Sequence, residues 1–234
     1  METNKIYNMD ALEGLKQLKD KSIDVIITDP PYGINADIGV GGFGSSPKTA
    51  KKYKDNWDSQ TPTKEVFDEI LRVGKNVFIF GGNFFTDKLP VGTHWIVWDK
   101  QGDIKFDNPF SACELIWTNQ DKVIVKKIVC IQQGFIKDKE CNNQRFHPTQ
   151  KPVKVIRHIL KDFKGVVLDC FMGSGTTALA CKQLGLKYIG FEINPEYCRM
   201  AEERLKQSIL TELNDGNDGI PPKPKDLGIL ANFI

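Results

Sequence analysis

The stretch that most constrains this chain runs from residue 166 to residue 193. Val166-Val-Leu-Asp169 is a short apolar run ending on a carboxylate, and Cys-Phe-Met-Gly173-Ser-Gly175-Thr-Thr-Ala178 follows at once. The run reads as a strand buried on both faces. Gly173 and Gly175 permit a tight turn, and a helical pattern from Thr176 to Leu184 sets in directly after them. Lys187 to Ile193 is a second strand pattern. A strand, a crossover helix and a strand form a parallel unit with the helix laid across the sheet.

The rest of the chain continues the alternation. Leu12, Leu15 and Leu18 stand at helical spacing, and Ile23-Asp-Val-Ile-Ile-Thr28 is a buried strand stopped by Asp29-Pro30-Pro31. Residues 33–60 are polar and read as one long loop. Thr61-Pro62 predicts a helix with proline at its first position and Val66, Phe67, Ile70 and Leu71 on one side. Asn76 to Phe80, His94 to Lys100, Glu114 to Asn119 and Lys122 to Ile131 read as strands, and 132–147 as irregular. Lys151-Pro152 opens a helix carrying Val153, Ile156 and Leu160; Asn194-Pro195 caps another that runs to about Leu210. The expected fold is α/β: a mostly parallel sheet with helices on both faces.

Bulk properties narrow the field further. With 32 basic and 30 acidic residues among 234, the chain is neither a polycation nor an acidic tail. It has no apolar run long enough for a membrane span and no apolar segment after Met1 of the kind a secretory signal needs, so a cytoplasmic location is expected. Cys113, Cys130, Cys141, Cys170, Cys181 and Cys198 form no C-x-x-C pair, and reduced thiols are the expected state. His94, His147 and His158 show no ligand spacing, so no metal site is expected. Residues 120–164 nevertheless hold nine Lys and two Arg against four acidic residues. That bias fits either a solvated surface or a face that meets a polyanion.

The Gly173, Gly175, Ala178 spacing matches G-x-G-x-x-G/A after a strand, and Glu192 lies 19 residues beyond Gly173 at the end of the next strand. An acid there accepts hydrogen bonds from ribose hydroxyls. The ligand is therefore nucleoside-like, with NAD, FAD and S-adenosylmethionine all compatible. A second match, Gly39-Val-Gly41-Gly-Phe-Gly44, precedes no helical pattern and reads as loop. Asp29-Pro30-Pro31-Tyr32 sits at the carboxyl end of its strand. Its prolines remove two donors and leave the Asp29 carboxylate and Pro30 carbonyl as acceptors, with the Tyr32 ring beside them. Such a corner suits both hydrogens of an aromatic amine.

Taken together, Asp29-Pro-Pro-Tyr32 ahead of Asp169-Cys-Phe-Met-Gly-Ser-Gly-Thr-Thr177 resembles the beta class of amino-group DNA methyltransferases. Tyr7-Asn-Met-Asp10, Trp57-Asp58, His147-Pro-Thr-Gln-Lys-Pro152 and Tyr188-Ile-Gly-Phe-Glu192 add to the resemblance, which covers residues 5 to about 210. Cys170 departs from it, since proline is commoner there. The resemblance implies a circularly permuted, Rossmann-like S-adenosylmethionine methyltransferase fold. It implies one catalytic domain over 1–213, with a catalytic half (1–118), a short recognition region (about 119–146) and a cofactor half (147–213), followed by a tail (214–234). It implies S-adenosylmethionine as cofactor and transfer to adenine N6 or cytosine N4 of a base flipped out of DNA; Asp29 at the first motif position favours adenine.

By the same resemblance, Asp29, Pro30, Pro31 and Tyr32 are catalytic, and Glu192 holds the ribose. Asp169 and the turn carrying Phe171, Gly173, Ser174, Gly175 and Thr176 face the cofactor, with Asp10 near its adenine and Thr149 and Lys151 near its methionine end. Candidate DNA contacts are Lys48, Lys51, Lys52, Lys54 and Trp57 in the first loop, with Lys126, Lys127, Lys137 and Arg145. The small room for recognition points to a short site or help from a second subunit, as in a homodimer; a companion restriction nuclease is left open. Competing readings are a nicotinamide-dependent oxidoreductase, which leaves the proline corner unexplained, and an idle DNA-binding module. Cytosine N4, RNA and a protein amide remain alternative acceptors.

Overall fold

A computed structural model describes residues 1–34, 58–104, 111–133, 136–137 and 150–214, with side chains of the last helix described as far as Lys206. Its strands are β1 (Lys5–Asn8), β2 (Ile23–Thr28), β3 (Gly74–Phe80), β4 (Trp95–Asp99), β5 (Cys113–Thr118), β6 (Val125–Val129), β7 (Gln132–Gln133), β8 (Ile136–Lys137), β9 (Val166–Asp169) and β10 (Lys187–Glu192). Its helices are α1 (Ala11–Lys16), α2 (Lys64–Val73), α3 (Val153–Leu160), α4 (Thr176–Gln183) and α5 (Pro195–Asn214). Eight strands form one sheet in the order β1-β10-β9-β2-β3-β5-β4-β6, while β7 and β8 pair as a small hairpin. In the large sheet β5 alone opposes its neighbours; the pairings from β1 to β3 are all parallel.

The pleat explains why the strand runs are apolar throughout. On β2, Val25 and Ile27 join the core under α3 and α4, while Ile26 joins the core under α1 and α2. β3 divides likewise, with Phe78 and Phe80 on one face and Val77 and Ile79 on the other. A strand covered on both faces has no solvent side on which to place polar residues. Each helix answers with a stripe: Val66, Phe67, Ile70 and Val73 on α2, and Val153, Ile156 and Leu160 on α3, are buried. α5 packs through Cys198 and Ala201 against Ala178 of α4 and Met172 of the glycine turn.

The sequence-based expectations hold for most elements and fail at particular residues. α2 begins at Lys64 with Thr63 as its N-cap, so Pro62 lies before the helix rather than at its first position. α5 reaches Asn214, beyond the expected end near Leu210. β1 and the β7–β8 hairpin lie where no strand was expected. Cys130 is disulfide-bonded, against the expectation that all six thiols are reduced; Cys113, Cys170, Cys181 and Cys198 are free. His158 is on the exposed side of α3, as a surface histidine should be. No helix among the described residues is long and apolar enough to cross a membrane.

Candidate active site

Connectivity fixes where the site lies. From β2 the chain passes through α2 to β3 on one side, and from β9 it passes through α4 to β10 on the other. The border between β2 and β9 is therefore the switch point, where open α/β sheets receive ligands beyond the strands' carboxyl ends. Asp29-Pro30-Pro31-Tyr32 leaves β2 on one side of that border and Asp169 to Thr177 leaves β9 on the other. Thr28 Oγ1 joins them by donating to Asp169 Oδ1 at 2.8 Å.

Asp169 organises the turn rather than facing outward. It is 4% exposed. Oδ1 also accepts from Phe171 N at 3.0 Å, and Oδ2 accepts from the Thr177 hydroxyl at 2.6 Å. Burial raises its pKa to about 6, against the pull of those hydrogen bonds. Gly173 (φ +50°) has nothing within 4 Å of where a Cβ would stand, so its backbone borders open space. Gly175 (φ +80°) has the opposite reason to be glycine: a Cβ there would lie 2.8 Å from Ala201 Cβ on α5. Ser174 is buried, and its hydroxyl stands 3.5 Å from Gln150 Oε1. Arg204 reaches in from α5, donating to Ser174 O at 3.1 Å and Thr176 Oγ1 at 3.0 Å.

Glu192 closes the pocket at the end of β10. Oε2 accepts from Gly173 N at 2.7 Å and Oε1 from Asn194 N at 2.8 Å. A third backbone N–H, that of Ile193, also acts on the carboxylate, which leaves one of its four lone-pair positions for a hydroxyl donor. Burial raises its pKa, opposed by the backbone N–H groups. Open space over Gly173 beside a carboxylate with a spare acceptor position fits the ribose side of a nucleoside cofactor. Asp10 stands at the neighbouring strand end, where its carboxylate caps α1 through Leu12 N and Glu13 N. Phe171 is half-buried against the α1–α2 core.

Across the border, the proline corner is held from several sides. Asp58, nearly fully buried, accepts from Tyr32 N at 2.6 Å and Gly33 N at 2.9 Å, which fixes the chain leaving Pro31. The Tyr32 ring fits over Gly81, where a Cβ would come within 2.3 Å of it. Phe84 stacks on Tyr32 at 4.7 Å and 13° between planes. The Tyr32 hydroxyl donates to Asp29 Oδ1 at 2.7 Å, and Lys151 Nζ lies 2.8 Å from Asp29 Oδ2. Behind Lys151 stands Glu114, which also pairs with Lys100. Burial raises the Asp29 pKa, with Lys151 opposing and Glu114 adding to the rise. In Lys151, burial works downward, but the two carboxylates raise the net value above that of an ordinary lysine.

The structure thus brings Asp29, Pro30, Pro31, Tyr32 and Lys151 together with the turn from Asp169 to Thr177 and Glu192. Lys151 lies on the Asp29 side of this pocket. Lys126 and Lys127 are exposed on the outermost strand, β6, where Lys127 pairs with Asp99 at 3.1 Å. Lys137 lies on β8. Lys48, Lys51, Lys52, Lys54, Trp57, Arg145 and Thr149 lie outside the described residues. Sequence reasoning missed Glu114, Phe84 and Arg204. Glu114 carried a signal, because it stands two residues before Ile116 and so points to the face that Ile116 buries. Arg204, three residues after buried Ala201, is likewise in phase with the apolar side of α5.

The fold defines a Rossmann-like α/β protein whose candidate site lies at the β2–β9 switch point. Comparison with known proteins narrows this. Residues 98–203 match the family model described as DNA methylase. The Type II methyltransferase M.HpaI of Haemophilus parainfluenzae is 27% identical over 231 residues, covering 83% of this chain and 72% of that one. The crystal structure of the M1.HpyAVI–SAM complex superposes with a TM-score of 0.54 at 25% identity, covering 86% and 98% of the two chains. The PvuII DNA methyltransferase, described as cytosine-N4-specific, shares the fold with a TM-score of 0.55 at 17% identity, over 93% and 94%. These matches make the chain similar to amino-group DNA methyltransferases over its cofactor half and across most of its fold.

Proposed function

We propose that this chain is a DNA methyltransferase that methylates N6 of adenine, with the target base turned out of the duplex into the space between Asp29 and Gly173. The carrying observation is the placement of Asp29 beside the glycine turn across the β2–β9 border. S-adenosylmethionine, the ligand of the M1.HpyAVI–SAM complex, supplies an electrophilic methyl group when bound. Glu192 would hold its ribose and the Phe171–Thr176 backbone its amino-acid side. The amine of adenine is a weak nucleophile because its lone pair is delocalised into the ring. Asp29 and the Pro30 carbonyl would accept its two N–H bonds and turn the lone pair out of the ring plane. As the nitrogen takes the methyl, whose bond to sulfur breaks to leave a neutral thioether, the positive charge would pass to nitrogen; the Asp29 carboxylate would stabilise it until one N–H proton passes to solvent. Asp29 is too weak a base to deprotonate a neutral arylamine. Tyr32, backed by Phe84, offers a surface on which the flipped base can stack.

Cytosine N4 is the second reading, favoured by the fold shared with the PvuII enzyme; its amine would meet the same two acceptors. The test is transfer of radiolabelled methyl to random-sequence DNA, followed by identification of the modified base. N6-methyladenine supports the first reading and N4-methylcytosine the second. Asp29→Ala should abolish transfer while leaving cofactor affinity within about threefold; transfer at wild-type rate would remove Asp29 from the chemistry.

A further inference from the structure

An Asp29 that accepts the substrate amine does so with two partners already in place. Both of its oxygens are engaged, Oδ1 by the Tyr32 hydroxyl and Oδ2 by the Lys151 ammonium. Each oxygen keeps a lone pair for an incoming amine, but as that amine turns cationic during transfer it repels an ammonium held on the same carboxylate. Lys151 has only 9% of its side chain exposed. If it left Asp29 with no other partner, a buried cation would stand unpaired, which a protein interior strongly disfavours.

An alternative partner is already in place. Glu114 Oε2 lies 3.4 Å from Lys151 Nζ, an ion pair without an aligned hydrogen bond, and among the described residues that oxygen has no hydrogen-bond partner. Its other oxygen is anchored by Lys100. Lys151 Nζ would need to move by only about half an ångström to make a charge-assisted hydrogen bond of ordinary length to Glu114. Lys100, Glu114, Lys151 and Asp29 form a chain of alternating charge with no net charge, and it stays balanced wherever along it Lys151 rests. The Nζ atom also lies 5.2 Å from the Tyr32 ring centroid and 5.6 Å from that of Phe80, so it moves along an aromatic wall.

We propose that Glu114 is a positioning residue for methyl transfer: it receives the Lys151 ammonium when the substrate's amino group takes the place of that ammonium on Asp29. The proposal rests on the reading of Asp29 as the acceptor for that amine. Lys151 then acts as a movable counter-ion that keeps Asp29 anionic in the empty pocket and yields to the amine without becoming unpaired. The charged or titratable groups that act on Asp29 are Lys151, the Tyr32 hydroxyl, Glu114 and, across the β2–β9 border, Asp169; Asp58 acts on Tyr32.

The test compares wild type, Glu114→Gln, Glu114→Asp and Lys100→Met in single-turnover methylation of DNA, with cofactor and DNA affinities measured separately. Glu114→Gln removes the second anion, so Asp29 becomes the only carboxylate left at Lys151 among the described residues. Its rate constant should fall by about tenfold or more while both affinities stay within about threefold. The acid limb of its pH–rate profile should move to lower pH, because Asp29 loses a like-charged neighbour and keeps its cation. Glu114→Asp, which keeps the charge, should recover much of the rate. Lys100→Met frees the anchored oxygen and should give a smaller loss of the same kind, so it carries the test if Glu114→Gln does not fold. A Glu114→Gln rate within about twofold of wild type, or a loss that follows cofactor affinity, overturns the proposal. If wild type transfers methyl and Asp29→Ala does not, a normal Glu114→Gln enzyme refutes only the role of Glu114. If wild type transfers none, the function itself is refuted and this role with it.

Discussion

Asp169 should make the protein less stable as pH rises from about 4 towards neutrality, in the direction opposite to that of a salt-bridged carboxylate. Its pKa moves from 3.8 to about 6 on folding because burial disfavours the charged form more than its hydrogen bonds to Thr28, Thr177 and Phe171 favour it. A folded pKa above the unfolded one means that the folded state binds the proton more tightly. The contribution is therefore fully present below the unfolded pKa and is lost as pH rises through the folded one. A shift of about two units corresponds to about 3 kcal/mol, lost between about pH 4 and pH 7. The assay is urea unfolding without cofactor, for wild type and Asp169→Asn, from pH 4 to pH 8. Other titrating groups act in both proteins, so the difference between the two curves isolates Asp169. That difference should move against the wild type by about 3 kcal/mol across the interval. A difference that does not change with pH would refute the reasoning and show that the threonine hydroxyls fully compensate burial.

The two turn glycines should separate stability from binding. Gly175→Ala puts a methyl 2.8 Å from Ala201 Cβ at positive φ and should cost about 2–4 kcal/mol in urea unfolding. Gly173→Ala meets no atom and should cost only about 1 kcal/mol, yet weaken cofactor binding about tenfold or more by calorimetry, since its methyl would enter the open space. His94 is 1% exposed, and among the described residues neither ring nitrogen has a hydrogen-bond partner. Burial lowers its pKa, so at neutral pH it is an uncharged polar ring without compensation. His94→Leu should raise stability by about 1 kcal/mol at pH 7 and by more at pH 5.5, where the wild type is further weakened because its unfolded state takes up a proton that the folded state resists.

What was legible in the sequence follows from burial. β2, β3, β9 and β10 were visible because strands covered on both faces are apolar without interruption. β1 was not, because a four-residue edge strand with alternating exposure has no such signature; pairing with β10, Ile6 opposite Gly190, defines it. α2 was displaced by two residues because Pro62 looked like a first helical residue, whereas Thr63 takes the cap position. The corner at Asp29 could be found because two prolines after a buried strand are a local feature. Glu114 could not be assigned a role from its neighbours in sequence, since its partners come from the end of β4 and from the segment leading into α3.

Asp169 and Glu192 show the limit of such reading most clearly. Each is an acid that ends a parallel strand, and the two strands are neighbours in the sheet. Its place 19 residues after Gly173 marks Glu192 for the ribose, while residue type alone does not tell the two acids apart. Their surroundings separate them. Asp169 has two hydroxyls and a backbone N–H directed at it, and its pKa rises to about 6, which suits a carboxylate that ties β9 to β2 and to the first turn of α4. Glu192 receives only backbone N–H groups on the oxygens described, one from Gly173 itself, and retains acceptor capacity beside open space. Those N–H groups oppose the rise that burial causes and favour the charged form, the better acceptor for hydroxyl donors. The difference arises from the direction in which neighbouring donors point, a property of the folded turn that residue type alone does not encode.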